Sequence, residues 1–214
     1  MDLFPESLDH YIEQHTSPES EVLEELNRET NLNVLMPRML SGHIQGVVLK
    51  MISHMIRPKR ILEIGTYTGY SGICLADGLT ADGLLYTIDI NEELEDMVSS
   101  YLKKAGVDHK VKQLIGDAME IIPTLNETFD LVFIDADKVN YVNYYHMVFD
   151  KVRVGGYFLA DNVLWSGKVA DDTKQDKDTN ALRELNALIQ NDDRVENVIL
   201  SVRDGLLLAR KLKD

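Results

Sequence analysis

From Pro58 onward the chain alternates short β-prone runs with helical ones, and this rhythm constrains the fold more tightly than any other feature. Ile61–Ile64, Leu84–Ile88, Val111–Ile115, Leu131–Ile134 and Tyr157–Ala160 read as strands, with periodic segments between them. Alternation sustained in this way predicts an α/β fold: a Rossmann-like parallel sheet with right-handed crossovers and helices on both faces. The rhythm breaks at the end. Val195–Val202 and Leu206–Lys211 read as two strands joined around Asp204-Gly205, a two-residue hairpin signal, so the sheet should close with a terminal antiparallel hairpin strand.

The first third is different. From Pro5 to Ile56 the apolar residues Leu8, Ile12, Val22, Leu26, Ile44, Val48, Ile52 and Met55 recur at helical steps, and Ser17-Pro18-Glu19 reads as a helix start with Pro18 at the first helical position. With no linker and no repeat, residues 1–214 are expected to form one domain: N-terminal helices over 1–57 and a binding core over 58–214. The 36 acidic and 22 basic residues give a formal charge of −14, which would repel a phosphate backbone, so nucleic acid is a poor partner. No leader pattern and no bilayer-length apolar run is visible, and the single Cys74 lies in an apolar stretch, so no disulfide framework exists. The expectation is a cytoplasmic protein in which Cys74 is apolar filler.

Arg60 to Ser71 is a strand, a glycine turn and a helix start. Gly65 and Gly69 are spaced G-x-x-x-G, which is not the dinucleotide fingerprint G-x-G-x-x-G. Glu63, at the last turn of the strand and facing a crevice, would repel a pyrophosphate and suit a cationic group. Asp89, ending the second strand 24 residues after Gly65, is placed to accept hydrogen bonds from ribose hydroxyls. Gly116-Asp117-Ala118 follows the third strand, where an adenine edge is commonly held. A nucleoside carrying an amino-acid cation and no phosphate matches this set, namely S-adenosylmethionine.

The fourth and fifth strands end in oxygen-bearing side chains. If the runs Phe129–Lys138 and Gly156–Asn162 are neighbours, then Asp135, Asp161 and Asn162 emerge together at the carboxyl edge. Two carboxylates and an amide carbonyl suit a hard divalent cation, Mg²⁺ first, with Mn²⁺ and Ca²⁺ as alternatives. Each residue singly is ordinary at a strand end or helix cap. His43 and His146 have no H-x-x-x-H or Cys-rich spacing to support zinc.

In order and spacing, E-I-G-T-Y-T-G-Y-S, T-I-D-I-N, G-D-A, F-I-D-A-D-K-V-N-Y and A-D-N-V-L-W-S-G-K-V resemble the cation-dependent O-methyltransferases typified by caffeoyl-CoA and catechol O-methyltransferases. The resemblance covers nearly the whole chain and implies a methyltransferase-type sheet. It further implies that Asp135, Asp161 and Asn162 hold the metal, and that Met39, Ser41, Glu63, Gly65, Thr66, Ser71, Asp89, Ala118, Asp135 and Asp137 form the S-adenosylmethionine site. Lys138 falls at the position proposed as catalytic base, with Asp135 beside it. Trp165 and Ser166 would border the pocket for a small phenolic or catechol acceptor, and Lys168–Thr179 would cover it as a lid. A homodimer is expected on the same ground. The stretch Gly42-His43-Ile44-Gln45-Gly46 departs from the acidic D-E-G-Q of the plant enzymes, which puts an acyl-CoA acceptor in question. Two other readings are a nicotinamide dehydrogenase, disfavoured by Glu63 and the closing hairpin, and a non-catalytic sensor of S-adenosylmethionine or metal.

Overall fold

The computed structural model describes residues 5–214. Five parallel strands, β1 (Arg60–Ile64), β2 (Leu84–Asp89), β3 (Val111–Ile115), β4 (Phe129–Ile134) and β5 (Val152–Asp161), are joined by an antiparallel pair, β6 (Val195–Leu200) and β7 (Leu206–Lys211). The sheet order is β3-β2-β1-β4-β5-β7-β6. The expected mostly parallel sheet with an antiparallel end is therefore present, and the order reverses between β1 and β4, where ligands of such sheets collect.

Because both faces are covered, the central strands are apolar on alternate sides. Leu62, Ile64, Val132 and Ile134 pack against α6 (Ala118–Thr124), α7 (Tyr141–Phe149) and α8 (Lys177–Asn191). On the opposite face Ile61, Leu131, Phe133 and Leu159 pack beneath α2 (Glu21–Asn33), α3 (Gly42–Ile56), α4 (Tyr70–Asp77) and α5 (Glu95–Lys104). Cys74 is buried in this second layer, with its thiol pushed up to about 12 by burial, which leaves it inert packing. The remaining helix, α1 (Glu6–Gln14), buries no residue of its own. Among the described residues no helix is long and apolar enough to cross a membrane.

Three local expectations are corrected. Helix α2 begins at Glu21, because Ser20 supplies the cap by accepting from the Leu23 N–H at 3.4 Å, and Pro18 lies outside it. Strand β5 begins at Val152, ahead of the apolar run, through a register shift against β4 between Phe129 and Leu131. The β6–β7 connection is no two-residue turn: Leu200 pairs with Leu206, leaving residues 201–205 between them. Those residues are used elsewhere. The Asp204 and Gly205 carbonyls accept the Leu164 and Val163 N–H groups at 2.9 and 3.1 Å, and Gly205, at φ +88°, allows Leu164 to pack so closely that a Cβ would sit 2.4 Å from it.

Candidate active site

Pairing of Ile134 with Ala160 sets the ends of β4 and β5 side by side, so Asp135 and Asp161 project from adjacent strand ends as expected. Asp161 is buried, and its two oxygens accept from Gln45 Nε2 and from the Asn162 backbone N–H, each at 2.8 Å. Burial foremost, and the Asp135 charge next, push the Asp161 carboxyl up to about 7. Lys138 and the two hydrogen-bond donors offset only part of this. Asn162, at φ 60°, occupies the left-handed conformation that Asn tolerates better than most residues. Among the described residues no three His, Cys, Asp or Glu side chains form a metal cluster, so a cation here would need the Asn162 amide as its third donor. Two carboxylates and an amide are a donor set that fits Mg²⁺ or a similar hard ion.

Lys138 is buried. Its Nζ lies 3.2 Å from Asp135 Oδ1 and 2.5 Å from the Tyr141 hydroxyl, and 5.9 Å from the Trp165 ring centre. Tyr141 is fully buried, and burial foremost, then Asp135 and Asp161, hold its phenol well above the ordinary range, so it stays protonated and donates to the Asp161 carbonyl at 3.2 Å. Asp137 does not pair with Lys138. It accepts instead from Asn140 Nδ2 and the Tyr144 hydroxyl, each at 2.6 Å.

These groups open into a cavity of about 1400 Å³. Met39, Ser41, Gly65, Thr66 and Ser71 line it together with Asp135, Asp137, Lys138, Asp161 and Asn162. Gly65 is required by its surroundings, since at φ +102° a Cβ would lie 1.9 Å from the Asp135 carbonyl oxygen. Trp165 and Ser166, both at positive φ, line the cavity with Lys168, and the Trp165 Nε1–H is buried without a partner. The proposed lid is a tied loop: Arg183 donates to the carbonyls of Lys168, Val169, Asp171 and Lys174 at 3.0, 3.0, 2.6 and 2.7 Å.

Glu63 differs from expectation, because it does not face the crevice. It is fully enclosed, with Ser71 Oγ and Thr87 Oγ1 each donating to it at 2.6 Å, and it braces the Gly65–Ser71 turn from behind. Asp89 and Ala118 also lie outside the cavity wall, at the end of β2 and the start of α6. Asp89 holds the same turn by accepting the Tyr67 N–H at 2.7 Å. Burial pushes the Glu63 carboxyl up to about 7 against the two hydroxyl donors. Below the ordinary carboxylate range both folded and unfolded chains keep this proton. Between about pH 4.5 and 7 the unfolded chain loses it first, so stability falls with rising pH, by on the order of 3 kcal/mol for this group. A Glu63→Gln variant should lose correspondingly less stability than the wild type between pH 5 and 8 in urea melts. Equal slopes would mean that the group is ionised in the fold throughout.

Sequence reasoning missed Gln45, Tyr141 and Arg203 as partners of this site. Tyr141 follows Lys138 by three residues, a readable helical spacing. Gln45 offered only the faint signal of one amide on the apolar stripe that it shares with Leu49 and Ile52, and Arg203 offered none.

The profile of the family described as O-methyltransferase matches residues 13–212. The caffeoyl-CoA O-methyltransferase of Petroselinum crispum is 37% identical over 206 residues, 91% of this chain and 85% of its own. Among solved structures, the O-methyltransferase TomG of Streptomyces achromogenes in complex with SAM superposes with a TM-score of 0.89 at 30% identity, covering 97% of this chain and 96% of its own. An O-methyltransferase from Bacillus cereus in complex with SAH superposes at 0.88 with 30% identity, covering 96% and 97%.

Proposed function

The chain belongs to the O-methyltransferase family, S-adenosylmethionine-dependent as its motif order led us to expect, and on that premise we propose its acceptor and its metal. The acceptor is a small catechol-like or hydroxylated aromatic molecule, methylated at one hydroxyl with the help of a divalent cation held by Asp135, Asp161 and Asn162. The observation that carries this reading is the set of oxygen donors on two paired strand ends, with Lys138 Nζ 3.2 Å from one of them. In this reading the whole chain acts as one domain, and a homodimer is the expected assembly.

A cation held by Asp135, Asp161 and Asn162 would supply Lewis-acid chemistry, orienting the acceptor and lowering the pKa of its attacking hydroxyl. The protein's own residues do the rest. Lys138 is placed to take the proton at Nζ, since Tyr141 remains protonated and serves to fix the lysine between itself and Asp135. Asp137, held by Asn140 and Tyr144, presents a fixed carboxylate toward the cationic end of the methyl donor. Met39 and Trp165 wall the cavity with apolar surface that excludes water from the reacting centre. Alignment of oxygen, methyl and sulfur is worth on the order of 7–11 kcal/mol in the best intramolecular models, which makes rigid placement the main demand.

Catechol, caffeate and caffeoyl-CoA, each assayed with S-adenosylmethionine, should separate the acceptors. Methylation of the free catechols should stop with EDTA and return with Mg²⁺. Turnover indifferent to EDTA would remove the metal from the reading, and cofactor binding without turnover on any acceptor would favour a sensor. Curated relatives carry caffeoyl-CoA in their names, so preference for that ester would correct the acceptor while leaving the metal chemistry standing.

A further inference from the structure

Asp161 is oriented by a residue 116 positions away in sequence. Gln45 is buried on α3, and its Nε2 donates to Asp161 Oδ2 at 2.8 Å. An amide can present either its oxygen or its nitrogen to a neighbour, and only one of these satisfies a carboxylate. Arg203, in the loop between β6 and β7, removes the choice. Its Nη1 donates to Gln45 Oε1 at 3.0 Å, and because a guanidinium accepts nothing, the amide oxygen must face Arg203 and the amide nitrogen must face Asp161. The same Nη1 donates to the Leu40 carbonyl at 3.0 Å and to the Ser41 carbonyl. Leu40 and Ser41 line the cavity beside Gly65 and Thr66. One guanidinium therefore ties the backbone of the cavity wall to the carboxylate at the end of β5.

Building on the metal reading above, we propose that Gln45 and Arg203 are positioning residues that hold Asp161 in its metal-binding orientation, and that Arg203 also fixes the Leu40–Ser41 wall against which the methyl donor lies. The remaining lone pairs of Asp161 are left pointing away from Gln45 and the Asn162 N–H. Neither Gln45 nor Arg203 contacts the reacting atoms. Their contribution is that the carboxylate does not have to be reoriented when the ion arrives. Partners of this kind are commonly worth 10–100-fold in metal affinity.

Mn²⁺ and S-adenosylhomocysteine titrations by calorimetry, run on wild type, Gln45→Met and Arg203→Met, test the assignment. Methionine preserves the length and apolar stem of both side chains while removing their polar groups. Gln45→Met should bind Mn²⁺ about 10–100-fold more weakly, bind S-adenosylhomocysteine as the wild type does, and recover its kcat at saturating metal. Arg203→Met should weaken both ligands, by about tenfold or more each. A merely structural role would lower the melting temperature and leave Mn²⁺ affinity unchanged, which would overturn the proposal. Because Arg203 is at an exposed loop position, Arg203→Met carries the test if Gln45→Met does not fold, with unaltered Mn²⁺ affinity again the overturning result. A wild-type protein with no affinity for Mn²⁺ would overturn the metal reading and this inference with it, whereas equal binding by wild type and Gln45→Met would overturn this inference alone.

Discussion

Replacing Lys138 with Met should lower kcat by about 10²–10⁴-fold while S-adenosylhomocysteine still binds, the range expected when a general base is removed. Methionine retains an apolar stem of similar length next to Tyr141 and Trp165, whose rings the Lys138 Nζ faces, so the loss isolates the ammonium nitrogen. In the structure that nitrogen has two fixed partners, Asp135 Oδ1 and the Tyr141 hydroxyl, and the neighbouring phenol is held protonated by burial. Its contact with Asp135 places it beside the proposed metal position, within reach of an acceptor hydroxyl held there. Two readouts separate a base from a positioning residue. If Lys138 takes the proton, activity of Lys138→Met should recover as pH is raised toward the phenolic range near 10, where the acceptor ionises unaided, and Mn²⁺ affinity should be little changed. A loss of activity matched by an equal loss of Mn²⁺ affinity would mean that Lys138 acts only by orienting Asp135, and a variant within a few-fold of wild type would remove it from the chemistry.

The fold was largely legible because each central strand is buried on both faces and therefore reads as a nearly continuous apolar run. Phe129 to Ile134 is such a run, and Asp135 terminates it where the chain leaves the sheet. The switch to an antiparallel end was signalled by Asp204-Gly205. Its turn type was misjudged, since a dipeptide preference describes an isolated hairpin, and here the turn residues also anchor residues 163–166. Strand β5 began early for a related reason: Val152 to Gly156 join the sheet through a bulge, which apolar periodicity does not register.

At the site, residues that end strands were easier to recognise than residues that hold them in place. Asp135, Asp161 and Asn162 carried a positional signal, and the structure brings their strand ends together. Glu63 was misplaced because its alternation was assigned to the crevice. The side chain lies on the α4 face of β1, where Ser71 and Gly72 close over it. Gln45, Arg203 and Arg183 act through contacts to distant side chains or to backbone carbonyls, and neither kind leaves a pattern in one sequence. The loop over the cavity looked free to close in the sequence, whereas a single arginine spends four of its hydrogen bonds fastening it to α8.

Asp161→Asn should abolish the response to metal. For the wild type, Mn²⁺ at about 1,000 times its dissociation constant should stabilise the fold by about 4 kcal/mol, and for a chain of this size that corresponds to a rise in melting temperature of roughly 8–16 °C. Removing a charged ligand should cost at least the ~100-fold that an outer partner can cost, and the geometry at Asp161 makes the loss larger. Both of its oxygens already accept, from Gln45 Nε2 and the Asn162 N–H, and an asparagine has only one oxygen to offer. Its amide nitrogen would therefore confront a donor, and with Gln45 locked by Arg203 neither partner can turn to relieve it. The Mn²⁺-induced shift should vanish in Asp161→Asn, and kcat/KM at ordinary metal concentration should fall by about 10³ or more, consistent with the several kcal/mol that a template cation supplies. In the wild type the same shift should be smaller at pH 6 than at pH 8, because a carboxyl pushed up to about 7 must release its proton before it can bind a cation. A full thermal shift in Asp161→Asn would mean that the ion binds elsewhere, and the two paired strand ends would then need a different explanation for keeping two acids at their tips.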